Sequence, residues 1–569
     1  MFFVENLSRN EFFPTELPEC FNSDDVADNN ATVFEEAEKL NRKFSIPLTY
    51  SGYKTETSRR KFAIPNPYHY IKAIKIVVDH SAEIFKIFEK SKYSLTAPID
   101  VKPQKNHPYE KKTETVADTR KEIESRYNSN RYEIRLDINS FFDSVYTHSI
   151  PWAIHGIEQA KKRRNDSNLL GNQIDACMRA MNYNQTNGIL VGNAVSRIVS
   201  EIILCTVDDK INKNFPNISC CRFVDDYYIY VKHPWEIQSV ISFIRNELAN
   251  FELTFNENKI QTNESPFLYG KIWVEQIKQY MHLPPDVFLT KLIIEFRQYE
   301  DISILKYGLK IIGLCRFNSK NWAVMQSRLL NIWARFPSLA DRIMPIFLKN
   351  ARFLKKKSIK EAMCGVIKES IALRKDQELV WAVWAIKVFD IKVAQEHYTK
   401  ILDSENDLAK IIVLDLIQKQ GLMNKPKIKQ ARKKLKEKLE SCDVDAEGQN
   451  NLLMWTSHWL LAYEADYNKW LTIDGDSFTC ARKNQFFKAL MDNKIKFYDS
   501  EFTYEKSNEY SRNYQYVTRT DLHSVVNQLK NDIIRWLGDK KTEEDMTNIE
   551  EDEFYDRLAE IWEKETMIY

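Results

Sequence analysis

Three aspartates carry the chemistry this chain is best equipped to do. Asp225 and Asp226 stand side by side in CCRFVDDYYIYV (220–231), a run otherwise mostly apolar and aromatic, where two strands would meet in a hairpin. Adjacent carboxylates repel one another and lose hydration among such neighbours, so a divalent cation is the economical neutraliser. Asp137 closes the β-rich run RYEIRLD (131–137) and is followed by INSFFD (138–143), a strand turning into a helix. Hard oxygen ligands at the ends of two strands suit Mg²⁺, which takes its remaining ligands from water and substrate phosphates. Two such ions activate a hydroxyl and stabilise departing pyrophosphate in an in-line nucleotidyl transfer. An Asp-Asp pair alone is ordinary turn chemistry. Its weight changes because four segments follow one another: LDINSFF (136–142), GILVGNAVSRIVSEI (188–202), FVDD (223–226) and LTFNENKIQ (253–261).

The elements around these segments read as strand, helix, strand. Between the two β-rich runs, residues 193–209 space Val195, Ile198, Val199, Ile202 and Ile203 as one helical face. The second half reads differently. Most of the 13 glycines fall at or before Gly313, leaving little material for tight turns beyond it. Residues 286–312, 322–336, 338–354, 379–389 and 409–420 repeat apolar residues at helical spacing, punctuated by Pro337 and Gly421, and predict stacked helical hairpins. No sequence repeat of fixed period is visible. Lys355–Lys357 and Lys425–Lys438 are basic runs that read first as solvated helix faces.

The ordered set resembles motifs A, B, C and D of reverse transcriptases over roughly residues 60–270, with aromatic-x-Asp-Asp matched by Phe223 to Asp226. That resemblance implies catalytic aspartates at Asp137, Asp225 and Asp226, with Ile138 among the metal-holding positions, and two Mg²⁺ ions, or Mn²⁺ in their place. It implies nucleotide contacts at Phe142, Gly192, Asn193 and Lys259. Phe142, five residues after Asp137, matches the aromatic that crowds a ribose 2′-hydroxyl and so favours dNTPs. Phe141 and Phe142 cannot both face the nucleotide. Lys259 matches a lysine that lends charge or a proton to pyrophosphate. KFAIPNPYHY (61–70) resembles the segment leading into the fingers, and the basic stretch 102–131, with Arg120 and Lys121, falls where fingers hold the triphosphate.

A narrower resemblance is to the abortive-infection and defence-associated reverse transcriptases of bacteria. It rests on VYTHSIPW (145–152) and GILVGN (188–193) with Ser196-Arg197-Ile198. Template-copying relatives usually carry Pro-Gln-Gly where Leu190-Val191-Gly192 stands here, which weakens the case for templated copying. The resemblance implies an α+β polymerase right hand, fingers and palm, followed by an all-α HEAT-like repeat domain. The expected division is 1–60, an N-terminal extension; 61–275, fingers and palm; 276–569, the helical domain. It further implies a homo-oligomer, trimer or hexamer, and untemplated synthesis of single-stranded DNA primed from a protein hydroxyl and left attached to it. It implies a role in halting phage infection in the bacterial cytoplasm. The tyrosine is not fixed by the sequence; Tyr50, Tyr53, Tyr504, Tyr510, Tyr514 and Tyr516 are candidates. The alternatives are a templated enzyme working with a noncoding RNA, and a non-catalytic scaffold that binds nucleic acid or a phage protein.

Bulk composition bounds these readings. A chain of 569 residues with 43% hydrophobic and 28% charged residues has the profile of a folded protein of several domains. A formal net charge of only +2 means any grip on phosphates comes from local patches. No apolar run is long enough for a membrane span. Nine cysteines without a C-x-x-C pair are expected to be reduced thiols rather than a zinc site.

Overall fold

A computed structural model describes residues 1–502 apart from Glu56, 103–106, 114–115, His282, Arg316, Asn318 and 444–451. Chain contacts gather these residues into two units. The first joins 1–112, 125–267 and 363–502, drawing on all three sequence-defined segments; the second holds 113–124 and 268–362.

The first unit is built on a four-stranded antiparallel sheet and a two-stranded hairpin. The hairpin pairs β1 (Leu48–Tyr53) with β2 (Arg59–Ile64). The sheet comprises β3 (Tyr132–Asp137), β4 (Ser219–Phe223), β5 (Asp226–Val231) and β6 (Gln261–Glu264), in the order β4-β5-β3-β6. β5 is rich in the aromatic and β-branched residues that strands favour, Tyr, Ile and Val, and is buried over most of its length. Polar, exposed β6 forms one edge. The other edge, β4, is flanked by Tyr93–Ala97, where Leu95 and Arg222 exchange main-chain hydrogen bonds with Arg222 and Tyr93. Both main-chain groups of Arg222 are thereby paired on that side.

The expected helix after residue 193 runs Ala194–Asn214 and is buried along most of its length. Helices Asp376–Val388, Gln395–Asp403, Asp407–Lys419, Pro426–Ser441 and Trp459–Tyr467 follow in the same unit. The first packs on the third and on β1, the second on the fourth, and the third on the fifth. The β1–β2 hairpin is tied to them: the Asp376 carboxylate accepts from Ser51 N at 2.8 Å, and the Arg59 guanidinium forks onto Glu378 with both bonds at 2.6 Å. A bidentate pair of this kind fixes orientation as well as distance.

The Pro426–Ser441 helix answers the question of the basic run. Lys429 pairs with Asp474, Lys434 with Asp403, Lys436 with Asp476 and Lys438 with Glu405. Those ammonium groups face carboxylates of this chain.

In the second unit the single helix expected over 286–312 is two, Pro285–Tyr299 and Ile302–Leu314. Glu300 turns left-handed at φ 51°, and the Asp301 side chain accepts from Ser303 N to start the next helix. Periodicity passes through such a break because both helices bury apolar faces. Among the described residues no helix is long and apolar enough to cross a membrane.

Candidate active site

The sheet register brings the three aspartates together. Asp137 at the end of β3 lies directly across from Asp226 at the start of β5. Side chains at opposed positions of antiparallel strands share a face. Phe223 pairs with Asp226, so Val224 and Asp225 are the two-residue loop of the β4–β5 hairpin. Burial pushes the Asp226 carboxyl up to about 7, with Asp225 and Asp137 adding repulsion and Lys259 relieving part of it. Burial and Asp137 likewise raise Asp225, against the pull of Lys259 and Arg60. Such a set binds protons readily because it lacks positive charge, and a cation supplies that charge.

The donor set fits a hard divalent ion: carboxylates only, mutually repelling, at two strand ends and the hairpin loop beside them. Among the described residues no three His, Cys, Asp or Glu side chains converge as a ready-made metal cage. One oxygen of Asp137 instead accepts from Lys259 Nζ at 2.9 Å. Mg²⁺ sites completed by substrate phosphates are of this open kind, with one or two carboxylates and no all-protein cage.

The remaining candidates separate on burial. Lys259, in a short 3-10 turn, is exposed and reaches Asp137. Phe141 is buried and Phe142 only half-buried, with their rings edge to face at 5.5 Å, so Phe141 is the core residue of the pair. The Ile138 side chain is buried, which leaves only its carbonyl as a donor to a metal. Gly192 adopts φ 108°, and a Cβ there would lie 2.6 Å from Pro14 Cγ, so glycine is required for close packing by the N-terminal segment. Asn193 is fully buried. Its Oδ1 accepts from Ser196 N at 2.9 Å and its Nδ2 donates to the Leu190 carbonyl at 3.0 Å. Its amide is therefore committed to capping the helix, which corrects the expectation of a nucleotide contact.

Two further expectations change. Tyr50 is buried, its ring stacked on Phe62 at 5.3 Å, and burial holds its hydroxyl far above the usual phenol range, so it is a poor primer. Tyr53 is half-buried, while Tyr504, Tyr510, Tyr514 and Tyr516 lie outside the described residues. Arg120 belongs to the second unit and pairs there with Glu124 and Glu275. Arg60, whose charge acts on Asp225, was not singled out by sequence. The Ser58-Arg59-Arg60-Lys61 run was the available signal; Arg59 pairs with Glu378, while the charge of Arg60 acts on Asp225.

Residues 83–278 match the family of reverse transcriptases, RNA-dependent DNA polymerases. The chain carries a reverse-transcriptase domain. That domain contains all three aspartates and is an enzyme domain of the nucleotidyltransferase class. Its matched span begins within the expected fingers and ends just past β6. No curated protein matches the chain. Among solved structures, apo telomerase from Candida tropicalis is similar over 64% of this chain and 69% of its own, at 11% identity and a TM-score of 0.31. A form truncated from the C-terminal domain matches 42% of this chain and 55% of its own, at 10% identity and TM-score 0.29, so the chain spans about half of that relative. Telomerase from Candida albicans with a telomeric RNA fragment gives 9% identity, 65% and 66% coverage and TM-score 0.27. With scores this low, the family match alone speaks for kinship.

Proposed function

We propose that the chain is a DNA polymerase of the abortive-infection type, joining dNTPs by two-metal nucleotidyl transfer at Asp137, Asp225 and Asp226. The observation that carries the reading is the direct pairing of Asp137 with Asp226 beside Asp225, inside the segment matching reverse transcriptases. Mg²⁺, when bound by these carboxylates, supplies the charge that polarises the attacking hydroxyl and neutralises the phosphates. The chain's own part is to hold the carboxylates on strand ends, to aim Lys259 at the place where pyrophosphate gathers charge, and to set Phe142 against the sugar. The attacking hydroxyl gives up its proton to solvent as its oxygen bonds to the α-phosphorus, the bond to pyrophosphate breaks, and Lys259 neutralises or protonates the leaving group.

Untemplated synthesis is the form we favour. What supports it is the loop Leu190–Asn193, which its own chain covers. Val191 O accepts from Ala63 N, Ala194 N donates to Glu11 O, and Pro14 packs on Gly192. A loop closed from two sides, lacking the usual glutamine, offers little to a template base. Protein priming from Tyr53 or one of the four later tyrosines, a HEAT-like stacking of the later helices, homo-oligomers and a role against phage in the bacterial cytoplasm complete the proposal.

Purified full-length protein incubated with Mg²⁺ and labelled dNTPs, without template or primer, is expected to become labelled itself and to withstand denaturing electrophoresis. Asp225→Ala and Asp226→Ala abolish the label. Extension of an added RNA-primer duplex with no label on the protein would favour the templated enzyme working with a noncoding RNA. Phage protection that survives both substitutions would favour the non-catalytic scaffold.

A further inference from the structure

The hairpin that presents Asp225 and Asp226 is built on an unfavourable residue. Val224, the first residue of the two-residue loop, sits at φ 54°. This left-handed conformation suits glycine or asparagine and is a rare outlier for a β-branched side chain. Something must hold the turn, and two groups on its inner side do. The Val224 carbonyl accepts from Arg222 Nη1 at 2.7 Å, and the Val224 N–H donates to Thr96 Oγ1 at 3.1 Å. Both polar groups of the strained residue are thus taken by side chains.

Those two side chains are themselves anchored to one helix, Ala194–Asn214. Thr96 donates to Glu201 Oε1 at 2.6 Å. Arg222, with no exposed surface, donates to Glu201 Oε2 at 2.9 Å and to Asp208 Oδ2 at 2.8 Å. Ser94 donates to Glu201, while Ser91 and Tyr227 donate to Asp208. One guanidinium faces two carboxylates, and four hydroxyls supply the donors that the missing second cation would have given. A buried charge cluster is a poor route to stability, because desolvation offsets most of the attraction. It is a good route to rigidity, since each member has only one arrangement that satisfies all the others.

We propose that Arg222 and Thr96 are positioning residues: through Val224 they lock the turn so that Asp225 and Asp226 stand ready for metal before any nucleotide arrives. This rests on the reading of those aspartates as the metal-binding pair. Neither Arg222 nor Thr96 touches the reacting atoms in this scheme. Their effect is on geometry, which for residues supporting metal ligands is worth roughly 10–100-fold in metal affinity.

Full-length Thr96→Val and Arg222→Lys test it, with Thr96→Ser as the conservative rescue and Asp226→Ala as the control on the reading beneath. Four quantities are measured: melting temperature, amide exchange across residues 219–231, Mn²⁺ affinity without nucleotide, and kcat with KM for dNTP incorporation. For Thr96→Val we expect faster exchange at the turn, Mn²⁺ affinity and kcat each lowered about tenfold, and KM within about twofold of the parent. Thr96→Ser restores all of these. Arg222→Lys keeps the charge but loses the fork, and behaves as Thr96→Val if it folds; should it fail to fold, Thr96→Val decides alone. Parental exchange, Mn²⁺ affinity and kcat in Thr96→Val overturn the clamp. Incorporation that persists in Asp226→Ala instead overturns the metal-pair reading itself, whatever the other variants do.

Discussion

Lys259 Nζ lies 2.9 Å from Oδ2 of Asp137, across the mouth of the aspartate set. The pair is open to solvent on the lysine side, so its own contribution to stability is small. Under the proposed function its meaning is competitive: the ammonium occupies an oxygen that a cation would use, and is expected to leave it for phosphate. Lys259→Met should therefore tighten Mn²⁺ binding to the free protein several-fold while lowering kcat by roughly 10²-fold, because the charge beside the leaving group is lost. Equal affinity for Mn²⁺ in parent and variant would remove the competition, and unchanged turnover would remove the catalytic role.

Phe141 and Phe142 give a second test, since neighbouring rings with different burial should fail differently. Phe141→Ala empties a buried site and is expected to cost about 3–5 kcal/mol of stability. Phe142→Ala, at a half-buried position, should cost much less but admit ribonucleotides, lowering the preference for dNTP over rNTP by on the order of 10²-fold, the range of one steric gate. Urea unfolding and competitive incorporation measure the two effects. A change in sugar preference from Phe141→Ala in a folded protein, with none from Phe142→Ala, would reverse the assignment.

Much of the site was legible because its signals are local. The apolar and aromatic run that Asp225-Asp226 interrupts gave the hairpin, and the spacing after Asn193 gave the helix. The later helices were also legible in outline, since an apolar face needs no partner to be seen. What sequence could not show was long-range pairing. Nothing near Arg59 announces Glu378, and nothing in residues 1–60 says that they fold with Asp376–Val388. Arg222 is hidden for a related reason. In a strand a charged residue reads as solvent-facing, and only the fold reveals that Glu201 and Asp208 meet it inside. The break at Glu300 escaped because apolar periodicity is continuous on both sides of it.

Asn193 shows how a motif position can be kept busy by structure. With both amide atoms bonded inside the chain, Asn193→Ala removes an N-cap and leaves the Leu190 carbonyl without that donor. We expect about 1–2 kcal/mol of lost stability, read from chemical unfolding, with KM for dNTP unchanged once the protein is folded. A large rise in KM at unchanged stability would return Asn193 to the nucleotide.

Glu464 provides a pH test away from the aspartates. It is fully buried in the Trp459–Tyr467 helix, and burial pushes its carboxyl up to about 7 despite hydrogen bonds donated by Phe497 N, Asn468 and the Tyr498 backbone. In the unfolded chain an ordinary glutamate ionises near 4.5. Between these values the folded protein keeps a proton that the unfolded chain has released, so the unfolded state binds fewer protons and stability falls as pH rises. The contribution is complete below about 4.5, is lost through about 7, and amounts to on the order of 3 kcal/mol. Glu464→Gln cannot ionise. Its Oε1 keeps the bond from Phe497 N, and Asn468 can turn its carbonyl to the new amide. Relative to the parent the variant should gain stability steadily from pH 5 to pH 7 and hold that gain above. Urea melts at several pH values measure it, and a difference between the two proteins that stays constant across the range would show that Glu464 does not carry the proton.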